Sequence, residues 1–169
     1  MDALEAIHTR RSIRRFTEQE VDDDTVERLL RAAMMAPSAR DQQPWHFIVL
    51  RERSTLRRIA ESCPNASMAA EAPLAVLVCA DSRLEKTPGY WAQDCAAAVQ
   101  NLLLAGHASG LGAVWCGIHP RPRREEALSE MLGLPEEVTP HSLVVLGYPA
   151  EQPAHPDRFR PDRIHQGQW

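Results

Sequence analysis

The segment from Tyr90 to Ala108 sets the tightest limit on what this chain can become. Its spacing predicts one long helix, with Trp91, Cys95, Ala98, Val99, Leu102, Leu103 and Ala105 spread over most of the circumference. Such a helix must be enclosed on most sides. A chain of 169 residues and 18.9 kDa is the size of one domain. Part of the enclosure is therefore expected from a second copy of the chain. That length supports a packed core without disulfides or structural metal. Cys63, Cys79, Cys95 and Cys116 form no C-x-x-C pair and lie in apolar stretches, so they read as reduced, buried thiols.

Around this helix the pattern alternates helices with strands. Asp2 caps a first helix over 2–8, with Leu4 and Ile7 facing inward. Asp22-Asp23-Asp24 opens a second, with Val26, Leu29, Leu30 and Ala33 on one face, and Pro37 stops it. Strands are expected at 45–50, 74–79, 113–118 and 142–146, and further helices at 54–62 and 123–132, the last ended by Gly133. Residues 1–149 read as one domain. Pro149, Pro153, Pro156 and Pro161 then break helical periodicity, so 150–169 reads as an extended arm of that domain.

The net charge is −4, which disfavours nucleic acid and anionic membranes as partners. No apolar run approaches the ~20 residues of a membrane span, and the acidic start at Met1-Asp2 is unlike a signal peptide, so a cytoplasmic location is expected. Eighteen of the 19 cationic residues are arginines, and several cluster: Arg10, Arg11, Arg14 and Arg15; Arg121, Arg123 and Arg124; Arg158, Arg160 and Arg163.

Three segments carry candidate chemistry. Arg10-Arg11-Ser12-Ile13-Arg14-Arg15-Phe16 offers guanidinium forks and a hydroxyl suited to a phosphate, although a solvated basic face has the same composition. Pro37-Ser38-Ala39-Arg40-Asp41-Gln42-Gln43-Pro44-Trp45 is a polar loop stiffened by two prolines, able to read a heterocycle edge or simply to cap itself. Gly110-Leu111-Gly112-Ala113-Val114-Trp115-Cys116-Gly117 leaves a helix and enters a strand, the reverse of a dinucleotide-binding turn. Gly110 and Gly112 read as a helix cap and a tight turn, while Gly117 within a strand marks a place where a ligand can approach the backbone. No P-loop, nucleophile elbow or H-E-x-x-H motif is present, and Cys116-x-x-His119 has no second pair with which to bind metal.

Taken in order, and closed by Leu146-Gly147-Tyr148-Pro149, these segments resemble the nitroreductase family of FMN-dependent oxidoreductases over 4–169. The resemblance implies an α+β fold, a central and mostly antiparallel sheet wrapped by helices. It also implies a homodimer with two FMN molecules at the interface and a domain-swapped C-terminal arm. Arg10, Arg11 and Ser12 match the positions that hold the FMN phosphate and ribityl chain, with Arg158 as a second phosphate cation. Arg14 matches the cation beside flavin N1 and the C2 carbonyl. Pro37, Ser38 and Ala39 match the loop that reaches the other protomer's flavin, with Gln43 in the same stretch. Cys116 and Gly117 match the stretch whose main-chain N–H faces N5.

The activity implied is electron transfer from NAD(P)H to a small organic acceptor, nitroaromatic or quinone, in ping-pong order and without a side-chain nucleophile. Other flavin reactions of the family, or FMN binding without turnover, are the alternatives. Tyr90, Trp91 and Trp115 are candidate walls of the acceptor pocket, or core packing. Asp41 stands where the family pattern has asparagine. A carboxylate cannot donate to the C2 carbonyl, and its charge opposes an anionic reduced ring. The Asp41→Asn variant should therefore carry the more readily reduced flavin, measured by equilibrium potential titration; a wild type of more positive potential would contradict this.

Overall fold

The computed structural model describes residues 1–154 and 156–169. Its centre is a sheet of β1 (Trp45–Leu50), β2 (Leu74–Asp81), β3 (Gly112–Gly117) and β4 (Val138–Gly147), ordered β1-β2-β4-β3 and antiparallel throughout. The two inner strands carry the unbroken apolar runs because helices cover both of their faces. On one face α2 (Asp23–Met34) and α4 (Trp91–Ala108) pack over Leu74, Val76, Val78, Val144 and Leu146. On the other, α3 (Arg53–Ser62) and α5 (Pro122–Leu132) pack over Ala75, Leu77, Cys79, Leu143 and Val145. All four cysteines are buried and unpaired, and burial pushes the Cys79 and Cys95 thiols up to about 12.

The termini of the elements follow from local chemistry. Asp2 and Asp22 accept the backbone N–H of Glu5 and Thr25 at 2.9 and 2.7 Å, capping α1 (Ala3–Thr9) and α2. Gly110, at φ +81°, ends α4, and the Leu111 N–H returns to the Gly106 carbonyl at 2.9 Å.

Three expectations change. Leu4 and Ile7 are exposed and Ala6 is the buried residue of α1, because in one chain this short helix packs against the end of α4, where Thr9 Oγ1 lies 2.7 Å from His107 Nε2. Strand β4 begins four residues earlier than its apolar run. Its register skips His141, pairing Val78 with Ser142 and Cys79 with Pro140, and the irregularity accommodates a proline within the sheet. Gly112 is the first residue of β3 and not a turn.

Gly112 lies beneath Ile13, where an added Cβ would fall 2.7–2.8 Å from Ile13 Cγ2, Cβ and Cγ1. Ile13 in turn donates its N–H to the Ala113 carbonyl at 3.0 Å, so the arginine segment is pinned along the start of β3. The Gly112→Ala variant should lose about 1–3 kcal/mol by overpacking. An unchanged urea midpoint would show that Ile13 yields freely.

Candidate active site

The arginine segment begins where α1 ends. Arg10, Arg11 and Arg158 gather around an open recess of about 510 Å³, lined also by Ile7, His8, Pro156, Asp157 and Phe159. Burial, and then the charges of Arg158 and Arg11, hold the Arg10 guanidinium below its ordinary pKa. Such a concentration of like charge suits an anion. The three cations are not equivalent. Arg11 donates from Nη1 to the His8 and Arg10 carbonyls at 2.8 and 2.6 Å and from Nε to the Ala154 carbonyl at 3.2 Å, tying the helix end to the arm. Arg10 and Arg158 keep their forks for a ligand.

Beyond the recess the segment follows the outer edge of β3. Ser12 bridges Ala113, and the Glu151 carboxylate of the arm accepts the backbone N–H groups of Arg14 and Arg15. The Arg14 side chain is exposed, and its charge reaches Cys116. Because the Ala113 carbonyl faces Ile13, alternation turns the N–H groups of Trp115 and Gly117 toward the same open edge, while Gly112, Val114 and Cys116 pair with β4. The Cys116 side chain points into the opposite core against Met68, where burial raises its thiol to about 11. Of the expected Cys116–Gly117 pair, Gly117 is therefore the one whose N–H faces the edge.

The polar loop lies elsewhere. Pro37, Ser38, Ala39, Asp41 and Gln43 lead into β1, the other edge of the sheet, three strand spacings or about 14 Å from β3. Arg40, Asp41 and Gln43 all hold positive φ, at 50°, 52° and 46°, a conformation costly for arginine and glutamine. Buried Asp94, in the first turn of α4, holds this shape by accepting from the Ala39 N–H at 3.0 Å and from Gln42 Nε2 at 2.6 Å. Gln42 Oε1 accepts from the Lys86 and Thr87 N–H groups, and Lys86 Nζ donates to the Asp41 carbonyl at 2.9 Å. Asp41 itself accepts from Gln43 Nε2 at 2.6 Å.

At the Gly117 end, the start of α4 brings Trp91 against a cluster that includes Trp115. The Trp91 ring lies 4.5 Å from His119 and 6.0 Å from His141, and Trp115 lies 5.9 Å from His141. Tyr90, just before the helix, is exposed. The expected pocket walls Trp91 and Trp115 thus share one cluster, and two histidines complete it. Neither histidine stands out in the sequence. Asp94 carries a fainter mark, an acid in the first turn of an otherwise apolar helix. Among the described residues no group of three or more His, Cys, Asp or Glu side chains is arranged to hold a metal, and no helix is long and apolar enough to cross a membrane.

The antiparallel sheet with helices on both faces is an arrangement shared with solved proteins. A crystal structure of a protein from Parabacteroides distasonis, provisionally named NADH dehydrogenase/NAD(P)H nitroreductase, superposes with a TM-score of 0.94 at 38% identity, covering 98% of each chain. A provisionally named nitroreductase from Desulfovibrio desulfuricans, solved in complex with FMN, gives a TM-score of 0.86 at 29% identity, over 100% of this chain and 99% of that one. A protein of Methanothermobacter thermautotrophicus, also provisionally named NADH dehydrogenase/NAD(P)H nitroreductase, is 52% identical over 169 residues, 100% of this chain and 88% of its own length. The model of the nitroreductase family matches residues 7–82 and 61–148. The chain belongs to the nitroreductase family.

Burial and the neighbouring His119 charge lower the His141 pKa to about 4. The unfolded chain binds that proton near 6.5 and the folded chain does not. Stability contributed above pH 6.5 is therefore lost as pH falls toward 4, by up to about 3 kcal/mol. Urea unfolding across pH 4–7 should show a steeper decline for wild type than for His141→Gln; parallel declines would refute the assignment.

Proposed function

We propose that this protein is an FMN-dependent NAD(P)H oxidoreductase that reduces small organic acceptors, nitroaromatics or quinones, and works as a homodimer with two composite sites. The observation that carries this reading is the open N–H edge of β3, which runs from a cationic recess to an aromatic cluster. The residues present fit the cofactor. Arg10 and Arg158 supply planar forks for a phosphate dianion, with Arg11 bracing them, and Ser12 supplies a hydroxyl for the ribityl chain. The Gly117 N–H would hold the flavin at N5, and the exposed Arg14 side chain would offer positive charge where the reduced ring is anionic. Bound FMN supplies two-electron chemistry, a hydride equivalent taken from NAD(P)H and passed to the acceptor, the two substrates using the ring in turn.

The placement of the loop supports the dimer. Within one chain, the residues of the Pro37–Gln43 stretch lie on the opposite sheet edge from Gly117, so the loop serves a partner's cofactor. Pro37, Ser38 and Ala39, with Asp41 and Gln43, would reach that cofactor, and Trp91, Trp115 and Tyr90 would wall the acceptor space. The same association covers the exposed apolar side chains of Leu4, Ile7 and Met35, and gives Phe159, Ile164 and Trp169 of the arm a surface to pack on.

The purified protein should be yellow, or take up added FMN stoichiometrically, and sediment as a dimer. It should oxidise NAD(P)H with a quinone or nitroaromatic acceptor, giving parallel lines in double-reciprocal plots. Arg10→Ala and Arg158→Ala should each weaken FMN binding by roughly tenfold or more, the loss of a charge-assisted contact. A colourless protein that refuses FMN would end the flavin reading, and unchanged affinity in both variants would show that the phosphate lies elsewhere.

A further inference from the structure

The His119–Glu125 pair takes no part in holding the cofactor. His119 Nδ1 lies 2.8 Å from Glu125 Oε1, and the two side chains are 30% and 23% exposed, half-buried but open to a reactant. With Nδ1 engaged, Nε2 has no partner among the described residues. The ring stands two residues beyond Gly117, edge-on to Trp91 and stacked 6.3 Å from His141. The titratable and charged groups around it are Glu125 and Arg124 from α5 and His141 from β4. Arg124 is committed to the Gly117 carbonyl at 2.8 Å. From α4 comes only Trp91, since Asp94 is turned into Ala39 and Gln42. His141 is bonded to Ser142, and burial lowers its pKa to about 4, so His119 is the imidazole here that stands against a carboxylate.

We propose that His119 donates the proton required for two-electron reduction of the acceptor, with Glu125 as the positioning residue that holds its ring through Nδ1. The proposal rests on the flavin reading of the same site. A quinone that receives a hydride equivalent, originally the C–H electron pair of NAD(P)H, carries the new hydrogen on one oxygen and a negative charge on the other. The imidazolium Nε2–H bond breaks, the charged oxygen gains that proton, and a neutral hydroquinone results. The imidazole left behind keeps its Nδ1–H on Glu125, and Nε2 recovers a proton from water. The dyad belongs to the acceptor step alone; reduction by NAD(P)H does not need it.

The test compares an acceptor that consumes protons with one that does not. In the FMN-loaded dimer, His119→Gln should slow p-benzoquinone reduction at least tenfold and leave ferricyanide reduction and FMN affinity unchanged. Glu125→Gln should slow p-benzoquinone reduction alone, and Glu125→Asp, which keeps the carboxylate, should restore part of the rate. Equal losses with both acceptors, or undiminished quinone reduction in His119→Gln, would overturn the proposal. A wild-type protein that takes up no FMN would overturn the flavin reading itself, a result visible before any variant is made.

Discussion

The bond from the Ile13 N–H to the Ala113 carbonyl is what the site depends on. It lays the arginine segment along the first residues of β3, closing that part of the edge and leaving the part from Trp115 to Gly117 open. An edge strand with unpaired donors normally invites unwanted pairing, and charged side chains are one protection against it. Here Arg14 and Arg15 flank the opening, with their own backbone N–H groups anchored on Glu151. The absence of a side chain at Gly112 makes this possible, because Ile13 occupies the space a Cβ would fill.

A second anchor governs the other edge. Asp94 is a buried carboxylate in the most apolar helix of the protein, and its two hydrogen bonds hold a loop in which three residues adopt positive φ. Backbone held this way is over-determined by its surroundings, as is common where a loop must present fixed groups to a ligand. The cost of burial falls on Asp94 and Gln42 and the strain on Arg40, Asp41 and Gln43, and the bonds of the buried pair hold the strained residues in place.

The helices and inner strands were legible because apolar periodicity encodes them, and the caps at Asp2, Asp22 and Gly133 fell where their chemistry requires. Periodicity could not find the start of β4, since Pro140 and His141 interrupt the pattern that marks a strand. Nor could it show that Leu4 and Ile7 face outward, which depends on what α1 meets. Within the site, Arg10 and Arg11 were visible in one arginine cluster and Arg158 in another, and the structure gathers them around one recess. His119, His141 and Glu125 were not visible, because histidines scattered through a sequence acquire meaning only when a bulge and a helix end bring them together.

Helix α4 joins these regions. Its first turn holds the loop through Asp94 and the aromatic cluster through Trp91, and its last turn meets α1 through His107, close to the arginine recess. Eighteen residues at 1.5 Å each make a span of about 27 Å. The helix is therefore a ruler, and its length is part of the site's specification. A single residue inserted within it would rotate one end by about 100° relative to the other and uncouple the two halves.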